Sequence, residues 1–226
     1  MHLCLQIQLL ILYFEIQSTF MEDKDLYTEL SSIRNLMERS AKFISLSGLS
    51  GILAGIYALV GAWLGYIQVY GNRLTLSYRD NYISEDEIIV RLFFIALAVL
   101  VLSLGSGILL TLRKATRKNQ NVWNPSSKKL LFSMSIPLLT GGCFLLILMF
   151  RGYYGIIAPA SLIFYGLALV AASHYTFEDV KWLGIMEIIL GLIAAIYPGY
   201  GIVFWAIGFG LLHIIYGSIM HFKYDR

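Results

Sequence analysis

The chain has 226 residues and a formal net charge of +3, with 58% hydrophobic and only 14% charged residues, where an average soluble domain carries roughly 25% charged. So few polar groups cannot clothe a water-soluble surface, and the apolar residues fall in long runs, which excludes disorder and a disulfide-stapled secreted scaffold. The expected class is an all-α polytopic membrane bundle of about six transmembrane helices preceded by a cytoplasmic amphipathic helix.

Residues 1–20 contain no Lys or Arg. Gln6 and Gln8 interrupt their apolar run, and no small-residue cleavage site follows, so the segment fails as a signal peptide and is too short to span. Translation is expected to begin at Met21, with 1–20 a misassigned leader. Cys143 is then the sole cysteine, and disulfide or Cys-based metal chemistry has no basis. Within 21–44, Leu26, Leu30, Ile33 and Met37 recur at spacings of four, three and four, while Arg34, Glu38 and Lys42 line the opposite face at i, i+4. This segment reads as the cytoplasmic amphipathic helix. Docking on its own bundle or the lipid surface, pairing with a second copy, and binding a cytoplasmic protein through residues 22–42 all remain open.

Six apolar stretches follow, at 45–69, 88–112, 130–150, 156–173, 182–197 and 202–220, each near the roughly 20 residues a helix needs to cross hydrocarbon. They make a transmembrane domain at 45–222 with a tail at 223–226. The fourth and fifth are the shortest, which leaves a re-entrant segment open there. With the amino terminus inside, thirteen of the 17 Lys and Arg residues fall on inner segments. That bias places both termini in the cytoplasm. The basic run from Arg113 to Lys129 holds the topology and meets anionic lipid; no basic face with interleaved aromatics accompanies it, so nucleic acid is not an expected partner.

Helices in lipid associate through small residues and hydrogen bonds, because lipid tails are as apolar as Leu. Gly51, Gly55, Gly61 and Gly65 in the first span, Ser103 and Gly107 in the second, Gly184 and Gly191 in the fifth, and Ala206 and Gly210 in the sixth are the expected packing positions. Pro137 is expected to kink the third span. Gly48 and Gly55 repeat the seven-residue spacing of Gly184 and Gly191, and Tyr165-Gly-Leu parallels Phe209-Gly-Leu, which suggests repeated hairpins.

The last hairpin, with Gly184, Gly191 and Pro198 at seven-residue steps followed by Gly208-Phe-Gly210 and Gly217, resembles the Gly-x6-Gly-x6-Pro hairpin of HdeD-type bacterial acid-resistance membrane proteins. The chain from Met21, above all residues 37–51, also resembles a group of uncharacterised bacterial six-helix membrane proteins. Both resemblances imply a helical membrane fold; neither implies an activity.

A charged side chain deep in a membrane helix costs roughly 2.5–3.5 kcal/mol on insertion scales, so Glu187 needs a reason. His213 is the natural partner, since counting from the cytoplasmic ends leaves the two about 4.5 Å apart in depth. Such a pair serves as interhelical glue or as a proton or ligand site. His174, Glu178, Asp179 and His221 cluster at the rim without a zinc spacing, so no metal and no cofactor are expected. Tyr and Trp near the span ends suit the lipid interface. No Ser/His/Asp order, paired catalytic carboxylates, dinucleotide fingerprint or nucleotide loop stands out, and the chain is not expected to be an enzyme. The expected function is a non-enzymatic membrane sensor or scaffold; the alternative is a small-solute or proton-coupled transporter using Glu187 and His213.

Overall fold

The computed structural model describes residues 47–71, 86–117, 122–197 and 199–225. The expected leader at 1–20 and amphipathic helix at 21–44 lie outside them. All regular structure among the described residues is helical: α1 Gly48–Tyr70, α2 Asp86–Arg117, α3 Pro125–Phe150, α4 Ile157–Ser173 after a 3-10 turn at Tyr154–Ile156, and α5 Asp179–Ile196. The last helix, α6, runs without a break through α-helical Gly201–Trp205, π-helical Ala206–Leu212, α-helical His213–Met220 and π-helical His221–Asp225. Five of the six are long and apolar enough to cross a membrane. The exception, α5, has 18 residues and carries Asp179, Lys181 and Glu187, so the described residues form five to six long apolar helices.

Cap and charge chemistry moves several boundaries outward from the apolar runs. α3 starts at Pro125 because Asn124 and Ser127 form a capping box: the Ser127 N–H donates to Asn124 Oδ1 at 2.8 Å and the Asn124 N–H donates to Ser127 Oγ at 3.0 Å. Pro125 stands at a first-turn position that tolerates its missing donor. α2 continues to Arg117, where Lys114 and Arg117 face the negative end of the helix dipole. The expected tail at 223–226 is helical as far as Asp225. α3 passes through Pro137 without ending.

Two antiparallel seams hold the helices, and they are built alike. In the α1–α6 seam, a Cβ added at Gly55 would meet the Gly210 carbonyl at 2.6 Å and the Ile214 backbone at 3.0 Å; one at Gly217 would meet Ile52 N at 2.5 Å and the Gly48 carbonyl at 2.8 Å. In the α4–α5 seam, a Cβ at Gly184 would meet the Gly166 carbonyl at 2.7 Å and Val170 N at 2.9 Å, and one at Gly191 the Pro159 carbonyl at 2.9 Å and Ile163 N at 3.1 Å. Each of these glycines faces the carbonyl of one residue and the backbone or side chain of the residue four further on, so helix backbones touch. A Cβ at Gly51, Gly55, Gly61, Gly65, Gly184, Gly191 or Gly210 would meet a neighbouring helix. Gly61 and Gly65 receive Val99 and Leu92 of α2, and on α3 Gly141 receives Phe164 of α4. Gly105 and Gly107 of α2 differ: nothing among the described residues lies within 4 Å of a Cβ there, so the expected Ser103/Gly107 groove packs against no described helix.

α2 packs on α1 and α3 on α4, while α6 packs most extensively on α1. Within one compact unit the helices therefore sort into two groups, here called bodies, α1/α2/α6 and α3/α4/α5, joined through the contacts that α6 makes with α4 and α5. Gly166→Val is expected to cost about 1–3 kcal/mol or more in detergent unfolding because the Gly184 carbonyl cannot yield. Gly107→Ala is expected to be neutral or to gain up to ~1 kcal/mol from helix propensity. Equal losses in the two variants would contradict this packing.

Candidate functional site

The polar site lies where the two bodies meet. Tyr165 stands one residue before the α4 seam glycine Gly166, Glu187 three after the α5 seam glycine Gly184, and His213 between Gly210 and Gly217 of α6, so the seams fix all three at one level. Glu187 is wholly buried and His213 is 7% exposed. His213 Nδ1 lies 3.4 Å from Glu187 Oε1 and 3.1 Å from the Gly208 carbonyl, and its Nε2 lies 2.8 Å from the Tyr165 hydroxyl. The structure thus brings together the two residues paired from depth alone.

Gly208 makes room for the acid. A Cβ there would lie 2.5 Å from Glu187 Oε2 and 2.5 Å from Leu162 Cδ2, and Leu162 is itself fully buried. The π-helical stretch Ala206–Leu212 widens α6 at this point, a distortion often found at functional sites, and the Gly208 carbonyl takes the His213 side chain. Neither oxygen of Glu187 has a hydrogen-bond partner among the described residues, and burying such a group without one is costly. Tyr165 also touches Phe209, with ring centroids 5.0 Å apart, and His213, at 5.4 Å.

The hydrogen positions follow from the network. With a hydrogen on His213 Nδ1 alone, that N–H donates to the Gly208 carbonyl and Nε2 accepts from the Tyr165 O–H. With Nε2 protonated, the N–H donates to the Tyr165 oxygen instead. Tyr165 is the member that sequence reasoning missed. Its signal was present: a tyrosine in the middle of a span, away from the interfacial positions, beside a seam glycine.

The rim residues gather differently from a metal site. Among the described residues no group of three or more His, Cys, Asp and Glu side chains is placed to hold a metal. Asp179 accepts from Lys223 Nζ at 2.9 and 3.1 Å and from the Tyr224 hydroxyl at 2.6 Å, and Tyr224 stacks on Phe177 at 4.0 Å. This clasp ties the end of α6 to the start of α5. Partial burial works to raise the Asp179 pKa, but the hydrogen bonds from Tyr224 and Lys223 and the Lys223 charge outweigh it and hold the carboxyl below the ordinary Asp value.

Comparison with family models, with curated proteins and with solved structures finds no match to this chain. Function has to be read from the chain's own chemistry.

Two outcomes test the geometry. Because the folded pKa of Asp179 is depressed, its contribution is complete above the unfolded value and lost as pH falls through the folded one. Protection of the 221–225 amides, measured against their intrinsic exchange rate at each pH, should therefore fall in acid, and Asp179→Asn should show the low protection at every pH. In detergent unfolding, Tyr165→Phe should cost about 0.6 kcal/mol, whereas His213→Ala, which strands a buried acid, should cost about 3 kcal/mol or more. The reverse order would refute the cluster.

Proposed function

We propose that the chain is a multi-pass integral membrane protein whose six helices span a bacterial inner membrane with both termini in the cytoplasm. In this reading it acts without catalysis, as a sensor or scaffold. The observation that carries the membrane assignment is the apolar surface that the helices leave uncovered. Glu187, His213, Thr176 and several glycines and alanines are buried along with a few Leu and Val side chains, while Phe132 is 70%, Leu139 68% and Phe150 83% exposed. A soluble monomer rarely exposes apolar surface on that scale, whereas in lipid large apolar side chains belong outside and small or polar ones at helix contacts. In this arrangement α5 completes the count as the fifth of six spans, and its charge at Glu187 is accommodated by His213 instead of by water.

The occlusion of the Glu187–His213 contact favours the sensor or scaffold over an open carrier. Partner contact belongs to residues 22–42, the amphipathic cytoplasmic segment, with a cytoplasmic protein or a second copy of this chain as its target. The resemblance of the last hairpin to HdeD-type proteins agrees with a bilayer setting. A second reading, a proton-coupled carrier, draws on a single feature: both oxygens of the buried acid are free of hydrogen bonds.

Deletion of residues 22–42 separates the two readings. A sensor or scaffold should lose its co-purifying proteins or its self-association while the helical domain still folds. A carrier should retain its partners and show liposome proton flux that falls at least tenfold in Glu187→Gln. Unchanged partners together with flux dependent on Glu187 would replace the first reading by the second.

A further inference from the structure

The polar cluster is also the buried polar link between two bodies. His213 belongs to the α1/α2/α6 body, and Glu187 and Tyr165 belong to the α3/α4/α5 body. Within each body the seams press backbone on backbone; between the bodies, Leu212, Tyr216 and Met220 of α6 join Leu169, Val180 and Leu183 in an apolar cluster, Phe209 meets Tyr165, and the deep polar contact is His213 against Tyr165 and Glu187, with Gly208 against the acid. The other polar ties described between them near α5 are the bond of Tyr216 to the Leu183 backbone and the exposed clasp of Lys223 and Tyr224 on Asp179.

The space around Glu187 limits what it can hold. One oxygen faces His213 Nδ1 at 3.4 Å, and the other lies against Gly208 and Leu162. No oxygen-rich cage surrounds it among the described residues, so a metal ion would find too few ligands. We propose that the Glu187–His213 pair is a binding site for one proton, and that this bound proton holds the two helix bodies together.

With the proton present, the pair has two neutral forms that share the same heavy-atom positions. In one, the Glu187 O–H faces Nδ1 and the Nε2–H donates to the Tyr165 oxygen. In the other, the proton has crossed to Nδ1, which now donates toward the carboxylate and the Gly208 carbonyl, and Nε2–H still donates to Tyr165. When the proton leaves to water, a carboxylate remains beside a neutral imidazole, buried and with no donor but a shared N–H. That anion is relieved by hydration, and water reaches it only if His213 and Gly208 move away from α5. Separation of the bodies is therefore coupled to loss of the proton, and the exchange requires only water as proton acceptor.

Other titratable groups leave this balance to the pair. α4 contributes Tyr165; α6 contributes His213 and, further toward the rim, Tyr216, which bonds the Leu183 backbone. Asp179, Lys223 and Tyr224 satisfy one another at the helix ends. α1 meets the His213 carbonyl through Gly51, which brings no charge.

The inference rests on the sensor reading and supplies its input, and its test is independent of partner binding. The full chain, with Cys4→Ser, is placed in lipid nanodiscs and spin-labelled at the exposed Cys143 of α3 and at Leu104→Cys of α2. Distances are measured from about pH 5 to about pH 9, across the range where carboxyl and imidazole groups titrate, alongside the infrared band of a protonated carboxyl. The label distance should lengthen as pH rises, in step with loss of one carboxyl band. Glu187→Gln, which mimics the neutral acid, should lack the band and keep the short distance throughout. If that variant does not fold, His213→Gln should move the transition by at least about one pH unit. A wild-type distance that stays constant, a band that titrates without movement, or a Glu187→Gln protein that still moves would each overturn the proposal. Failure here with partner loss on deletion of 22–42 removes the proton and leaves the sensor; movement without partner loss does the opposite.

Discussion

Helices that meet backbone to backbone have almost no freedom left in rotation or register, and every other side chain must settle where that contact puts it. The seams at Gly48, Gly55, Gly210 and Gly217, and at Pro159, Gly166, Gly184 and Gly191, impose this constraint. A single methyl at most of these positions would lie within 3 Å of a neighbouring backbone atom, a distance real Cβ atoms essentially never show. In water such precision is supported by a hydrophobic driving force. Between helices in lipid, packing and hydrogen bonds must supply it. The glycines are thus the part of the sequence that turns a set of apolar helices into one arrangement.

The seams also explain where polarity is tolerated. Their interiors are too close for any side chain, so a buried acid has to sit beside a seam, where one helix passes from one neighbour to the next. α6 is that helix. Gly210 and Gly217 face α1, whereas Gly208 faces Glu187 and Leu162. Residues two apart on a helix point about 200° apart, toward opposite sides. The alternation Gly208-Phe-Gly210 therefore lets α6 lie thinly between two neighbours, and the wider π-helical turn at Ala206–Leu212 leaves the Gly208 carbonyl within reach of His213.

The helical class and its long apolar helices were legible in composition and in run lengths, because an unbroken apolar run of about twenty residues is too long for a strand. The packing glycines were legible for the same kind of reason: small residues at fixed spacing have few other uses in an apolar helix. Glu187 and His213 stood out because each is expensive where it lies. Tyr165 did not, since tyrosine is common in membrane helices and only the tertiary contact separates a buried hydroxyl from an interfacial one. Helix ends were the least legible. The cap at Asn124 and Ser127, and the clasp of Tyr224 and Lys223 on Asp179, act through a few polar atoms that leave no periodic trace. Gly107 shows the opposite failure, a correct motif for packing with no described helix against it.

The duplicated spacing carries a contradiction that the seams make visible. Matching Gly48 and Gly55 to Gly184 and Gly191 sets Gly217 in the role of Gly166, because those are the residues opposite Gly48 and Gly184. Matching Tyr165-Gly-Leu to Phe209-Gly-Leu instead sets Gly210 in that role, seven residues away. One symmetry cannot satisfy both, since a seam glycine on one helix fixes its partner on the other. A shift of seven residues is nearly two helical turns, which keeps the same face toward the partner while changing depth. The two alignments of the seams therefore differ by one such step. Such a step places unlike residues side by side where the bodies meet, and Phe209 against Tyr165, with His213 one turn beyond, is that kind of meeting. Two bodies with the same packing logic but different depth registers can close tightly within themselves and still present a polar, unsymmetric joint to each other, and that is where the buried acid resides.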